Sequence, residues 1–226
     1  MTAINAIVRR DRIHLMTDGA VYNPEGQVTG ITQKVHILAH LSTVVAYRGP
    51  TWFGGGFATL LNSANLVDFD DLLSQVIPLT HAYLQNGLNG LPADAVAEAG
   101  IRLDLKRVEV ILAGWSHRRG RGELYELNTE RPEWQLEPKG VGVIMPGNNP
   151  ELIARLEAHG WCPEDEAQDV PNLLALLQHQ RAVPDILPNG MRARTVGAFA
   201  QHTMITPGGI VTRIVERWDD LPGGAR

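Results

Sequence analysis

Three residues near the start of the chain carry a chemical rationale together. Thr2 directly follows Met1, Asp18 lies sixteen residues further on in Met16-Thr17-Asp18-Gly19, and Lys34 lies thirty-two residues after Thr2 in Gln33-Lys34-Val35. A threonine hydroxyl is a weak nucleophile and needs an adjacent base. With Met1 removed, the freed α-amine of Thr2 can be that base, because an α-amino group has a pKa of about 7.7–8.0 and is partly neutral near pH 7. A lysine ammonium close by disfavours the protonated amine and the hydroxyl proton alike, and a carboxylate holds such a lysine in place. Taken singly, the same residues have plainer readings. Asp18 before Gly19 suits a turn, Lys34 suits the exposed start of a strand, and Thr2 suits an ordinary surface position. Only the three together argue for nucleophilic chemistry.

The elements that must position these residues follow from hydrophobic period. Ala3 to Val8 reads as a strand and Arg9-Arg10-Asp11-Arg12 as a turn. In a second strand, Ile13, Leu15 and Thr17 alternate with His14, Met16 and Asp18. Pro24-Glu25-Gly26 is a turn signal. Lys34 to Leu38 and Thr43 to Tyr47 are rich in β-branched residues and predict two further strands. The period then becomes helical from Trp52 to Asn65 and from Asp68 to Gln85, with Pro78 as a kink. Arg107 to Trp115, Glu123 to Leu127 and Trp134 to Leu136 predict a meander that Gly140 to Met145 ends. Helices are expected from Pro150 to His159 and from Pro171 to Gln180, where Leu173, Leu174 and Leu177 read as core. Strands from Thr195 to Ile205 and from Gly209 to Trp218 flank Thr206-Pro207-Gly208, where Pro followed by Gly suits a type II turn.

Strands and helices therefore come in blocks rather than as alternating βαβ units. That order predicts packed layers. The expected fold is α+β, a four-layer αββα sandwich of two antiparallel sheets flanked by helices, built as one domain over residues 1–226.

At this point the local text resembles the proteasome β-subunits and the bacterial HslV-type peptidases, within the N-terminal-nucleophile (Ntn) hydrolases. Thr17-Asp18-Gly19 is similar to the Gly-Asp-Gly of the HslV type, and Gln33-Lys34-Val35-His36-Ile37 to the Lys-Lys-Val segment of the whole group. The intervals from Thr2 to Asp18 and Lys34 match as well. The resemblance covers roughly the first sixty residues, and beyond them it rests on element order and the closing hairpin. It implies a threonine-type amide hydrolase that forms rings, with Thr2 as nucleophile, Lys34 tuning it and Asp18 orienting Lys34. Ala46-Tyr47-Arg48-Gly49 sits where the family has an apolar strand ending in Gly, so Gly49 N–H is the implied oxyanion donor. Val21, Tyr22 and Tyr47 are implied pocket residues. Two departures keep a second expectation open, an inactive subunit with an assembly or scaffold role. The family serine that assists the terminal amine has no counterpart in Met145-Pro146-Gly147-Asn148-Asn149-Pro150. The family's Asp-x-x-Ser-Gly is replaced by Ala193-Arg194-Thr195-Val196-Gly197. Hydrolysis of a small amide rather than a peptide is equally compatible, and an ATPase partner is left open.

Other chemistry has weaker support. Gly54-Gly55-Gly56 could cradle an anion at a helix start, but it lacks the P-loop Lys-Ser/Thr, and close helix-on-sheet packing is the simpler expectation. Cys162 lies near His159, yet a lone cysteine is usually a small buried hydrophobe. Ser116 does not make a GxSxG elbow. The eight histidines show no tight ligand spacing, so neither a metal nor a cofactor is expected. A formal net charge of −5 argues against a nucleic-acid partner. The basic run His117, Arg118, Arg119 and Arg121 reads as a solvated hairpin tip, with an anionic partner or a subunit contact as the lesser alternative. Apolar runs are too short for a membrane span, and with one cysteine and no visible signal peptide the expected location is cytoplasmic.

Overall fold

The computed structural model describes residues 2–23, 25–89, 108–147, 165–187 and 190–220, with single positions 150, 154 and 158. The helix expected from Pro150 to His159 falls mostly outside them, and the Cys162–His159 pair falls outside them.

Two five-stranded antiparallel sheets organise the described chain. The first contains β1 (Ile4–Val8), β2 (Ile13–Asp18), β10 (Gly142–Met145), β13 (Phe199–Thr206) and β14 (Gly209–Arg217), in the order β10-β1-β2-β13-β14. The second contains β5 (Val35–Leu38), β6 (Thr43–Arg48), β7 (Glu109–Ser116), β8 (Arg121–Asn128) and β9 (Leu136–Pro138), in sequence order. Two small hairpins stand apart, β3 (Ala20–Tyr22) with β4 (Val28–Ile31), and β11 (Asp185–Ile186) with β12 (Arg192–Ala193). Among the continuously described residues three α-helices accompany the sheets: α1 (Thr51–Ser63), α2 (Phe69–Asn89), which continues through Pro78, and α3 (Asp169–Ala182).

The period of two explains how the strands bury both faces. On β7, Ile111 and Ala113 join Val44 and Ala46 of β6, and Ile4, Ala6, Ile13 and Leu15 of the first sheet, in a core between the sheets. Val110 and Leu112, one residue out of phase, join Val45 and Tyr47 beneath α1 and α2. A strand buried on both faces needs apolar residues at nearly every position, and Glu-Val-Ile-Leu-Ala-Gly-Trp-Ser supplies them. On the other side, Leu173 and Leu177 of α3 pack with Ala3, Ile7 and Met16. Within α1, Phe53, Phe57 and Leu61 repeat at the i, i+4 spacing and are fully buried, with the two Phe rings 4.9 Å apart.

The glycine run of α1 is a packing device. A Cβ at Gly54 would come within 1.8 Å of the Tyr47 ring, and one at Gly56 within 2.0 Å of the Tyr83 hydroxyl. Tyr47 cannot easily yield, because its hydroxyl donates to the Thr51 carbonyl at 3.1 Å. Gly54→Ala should therefore destabilise the protein by about 1–3 kcal/mol, despite the higher helix propensity of alanine. A urea midpoint at or above the parent's would show that α1 can move off the sheet.

Several expected elements shift. β10 does not end the meander of the second sheet. It crosses to the first sheet and pairs with β1, Ile4 opposite Met145 and Ala6 opposite Val143. Gly142 permits this, because a Cβ there would lie 2.2 Å from the Ala6 carbonyl oxygen. β9 begins at Leu136 rather than Trp134, whose indole donates instead to the Thr129 carbonyl at 3.2 Å. β13 begins at Phe199 rather than Thr195, since the residues before it turn toward Asp18. The hairpin joining β13 and β14 is not a type II turn. The positive φ belongs to Gly209, at 134°, and not to Gly208. Among the described residues, no helix is long and apolar enough to cross a membrane.

Candidate active site

The strand ends bring the candidate residues together. Thr2 immediately precedes β1, Asp18 ends β2, Lys34 immediately precedes β5 and Gly49 immediately follows β6. Thr2, Lys34 and Gly49 line one cavity of about 60 Å³, with Val21, Tyr22 and Tyr47 among its walls. Thr2 is buried.

Asp18 is the organising residue. It is fully buried and accepts four hydrogen bonds. Oδ1 takes the Lys34 ammonium at 2.7 Å and the Ala3 N–H at 3.0 Å. Oδ2 takes the Gly197 N–H at 3.1 Å and the Ala20 N–H at 3.2 Å. One carboxylate oxygen therefore holds both the lysine and the peptide unit that follows Thr2. This is more than a turn residue does. Gly19 is likewise more than a turn glycine, because a Cβ there would meet the Phe199 ring at 2.4 Å.

Lys34 is 3% exposed, so its charge has almost no water to solvate it. Burial pushes its ammonium below the usual lysine range, the Asp18 carboxylate opposes that shift, and the charge of Arg48 adds to it. Gly49 has φ 149°, where an L side chain is strained, and no acceptor for its N–H appears among the described residues. A backbone N–H on the wall of the Thr2 cavity, without an acceptor among the described residues, is the donor that an oxyanion needs.

The three N–H donors to Asp18 escape sequence reasoning, because backbone groups carry no residue label. Only Gly197, in Ala193-Arg194-Thr195-Val196-Gly197, marks its place by type. The following residue, Ala198, has φ 68° and is held there by its own N–H donating to Asp220 Oδ2 at 2.7 Å. A second buried polar group also went unread. His14 Nδ1 lies 3.0 Å from His202 Nε2, and His14 Nε2 lies 3.9 Å from Asp169 Oδ2. Asp169, at the start of α3, accepts Arg9 Nη2 at 2.5 Å and Nε at 2.9 Å. Among the described residues, no group of three His, Cys, Asp or Glu side chains could hold a metal ion.

Neither protein-family models nor curated proteins match the chain. The functional reading rests on the geometry of the site and on the local text around Thr2, Asp18 and Lys34.

Proposed function

We propose that the chain is an N-terminal threonine amide hydrolase of the proteasome and HslV kind, a cytoplasmic subunit of a self-compartmentalising peptidase. The observation that carries this reading is the buried Asp18–Lys34 pair, which shares its anchoring oxygen with the backbone beside Thr2 and reaches a cavity walled by Thr2 and Gly49. A buried ion pair gains little net stability, so its placement beside a candidate nucleophile favours a chemical role. The packing order of helices, sheet, sheet and helix supports the four-layer αββα sandwich of that family.

In the proposed reaction the Thr2 hydroxyl attacks an amide carbonyl and its proton passes to the free α-amine. The nearby Lys34 charge favours the neutral amine beforehand, and Gly49 N–H receives the developing oxyanion. Collapse of the tetrahedral species expels the leaving amine, which takes the proton from the α-ammonium. Water, deprotonated by the same amine, then hydrolyses the threonine ester.

Turnover of small fluorogenic peptide amides by the protein lacking Met1, with loss of at least about 1,000-fold in Thr2→Ala, is the expected result. Intact mass of the purified protein establishes the state of Met1 in the same sample. Unchanged cleavage by Thr2→Ala would overturn the assignment of the nucleophile. No turnover from protein that has lost Met1 would favour the assembly subunit, a reading supported by the absence of serine from Met145–Pro150 and of both Asp and Ser from Ala193–Gly197. Ring formation is tested by size-exclusion chromatography with light scattering, and a stable monomer at micromolar concentration would refute it.

A further inference from the structure

A second cavity, of about 560 Å³, lies at the far end of β1 from Thr2. Seven residues separate Thr2 from Arg9, roughly 20 Å of strand. Two turns that are distant in sequence meet there. The first hairpin contributes Val8, Arg9 and Arg10, and the turn into β8 contributes Arg119 and Arg121. The basic run is exposed, as expected of a solvated tip, and two of its members, Arg119 and Arg121, form one wall of a cleft faced by a second arginine-rich turn.

The pairing of these arginines is uneven. Glu123, on the cavity floor, accepts Arg119 Nε at 2.8 Å and Nη2 at 2.5 Å, Arg121 Nε at 2.6 Å and the Tyr125 hydroxyl at 3.0 Å. Arg119 Nη1 is also paired with Asp70, and Arg9 with Asp169. Glu123 is thus saturated, and Arg119 and Arg9 are committed. Both terminal amino groups of Arg121 and the whole guanidinium of Arg10 have no acceptor among the described residues, and both residues are exposed and line the cavity. The Arg10 guanidinium and the two terminal amino groups of Arg121, beside a cavity within the roughly 300–1,000 Å³ range of small-molecule sites, make an anion receptor. Val8, Leu124 and Pro138 add an apolar wall.

We propose that this cleft binds a phosphate-bearing small molecule, its phosphate held by Arg10 and Arg121 and its apolar part against Val8, Leu124 and Pro138. A planar fork matches two phosphate oxygens at once, and the apolar wall gives a small organic ligand contacts that a free-floating ion would not use. The site is separate from Thr2 and stands whether or not the chain hydrolyses amides.

Calorimetric titration of the intact chain with inorganic pyrophosphate, in low-salt buffer and against citrate at matched ionic strength, tests it. Saturable binding of pyrophosphate at least tenfold tighter than citrate is expected, and at least tenfold weaker binding by the Arg10→Ala/Arg121→Ala double variant. Because Arg121 also touches Glu123, Arg121→Lys combined with Arg10→Ala serves as a milder variant that keeps a cation there. It should also lose affinity while melting at the parent temperature. No saturable heat, or unchanged affinity in both double variants, would overturn the site. Equal or tighter binding of citrate would overturn the assignment to phosphate and point to a carboxylate ligand.

Discussion

Asp18→Ala should destabilise the protein by about 4 kcal/mol or more, while Lys34→Met should cost no more than about 2 kcal/mol. The asymmetry follows from what each change leaves behind. Removing the carboxylate strands a lysine that is 3% exposed and orphans the N–H groups of Ala3, Ala20 and Gly197. Breaking a buried pair from one side costs about 3–5 kcal/mol, and each orphaned buried donor adds roughly 1–3 kcal/mol when it finds no water. Removing the lysine instead leaves Asp18 with three backbone donors, enough to keep a buried carboxylate solvated by the protein. Methionine also fills most of the lysine volume and relieves the cost of burying an ammonium. Against a total stability of about 5–15 kcal/mol, Asp18→Ala threatens folding itself. Asp18→Asn, which retains volume and one acceptor oxygen, should fall between the two. Urea unfolding of the three variants is the measurement. A smaller loss for Asp18→Ala than for Lys34→Met would mean that the carboxylate is not the hub of this site.

Stability should also fall in acid through the His14–His202 pair. The two rings share one hydrogen bond of 3.0 Å, so one nitrogen must be the donor and the other the acceptor. A proton on His14 can face Asp169, but a second proton, on His202, has the charged His14 ring beside it. Burial lowers the pKa of His202 first, then the charges of His14 and Arg213, to about 4. His14 is also lowered, mainly by burial, with Asp169 opposing. The sign follows from linkage. In the unfolded chain His202 binds its proton at the ordinary histidine value of 6.5, so between pH 6.5 and 4 the unfolded state holds more protons than the folded one. Stability then falls as the pH drops through that window. At about 1.4 kcal/mol for each pH unit spanned, His202 should account for about 2 kcal/mol of the loss between pH 7 and pH 4.5. His202→Gln, which keeps a hydrogen-bonding partner for His14 but does not titrate, should recover most of that difference. Equal losses in parent and variant would place the acid sensitivity elsewhere, among the carboxylates.

How much of this was legible beforehand depended on the range of the interaction. The strands of the second sheet and the helices α1, α2 and α3 announce themselves, because period two and period 3.6 are properties of neighbouring residues. Val110 to Trp115 is apolar at almost every position since both faces of β7 are buried. The Asp18–Lys34 contact was legible for a different reason. The chemistry of a threonine nucleophile asks for a lysine held by a carboxylate, and the intervals and local text around Thr2, Asp18 and Lys34 resemble a family that has that arrangement; the structure joins Lys34 Nζ to Asp18 Oδ1 at 2.7 Å.

The remaining features depend on sheet order, which no local window contains. Gly142 to Met145 has the composition to extend either sheet, and only the packing of β1 against it decides which. The His14–His202 contact spans 188 residues and the Asn5–Gln180 contact 175, and in each case one partner comes from an element that arrives late in the chain. The N–H groups around Asp18 come from Ala3, Ala20 and Gly197, whose side chains give no hint of the bond. The chain by itself therefore determined which segments become strands and helices, because those follow from hydrophobic period, and it singled out Asp18 and Lys34 as a pair by their chemistry and their intervals from Thr2. Only the tertiary structure decided the order of the first sheet, the size of the Thr2 cavity and the meeting of the two arginine-bearing turns, because each depends on distances between segments that the sequence keeps far apart.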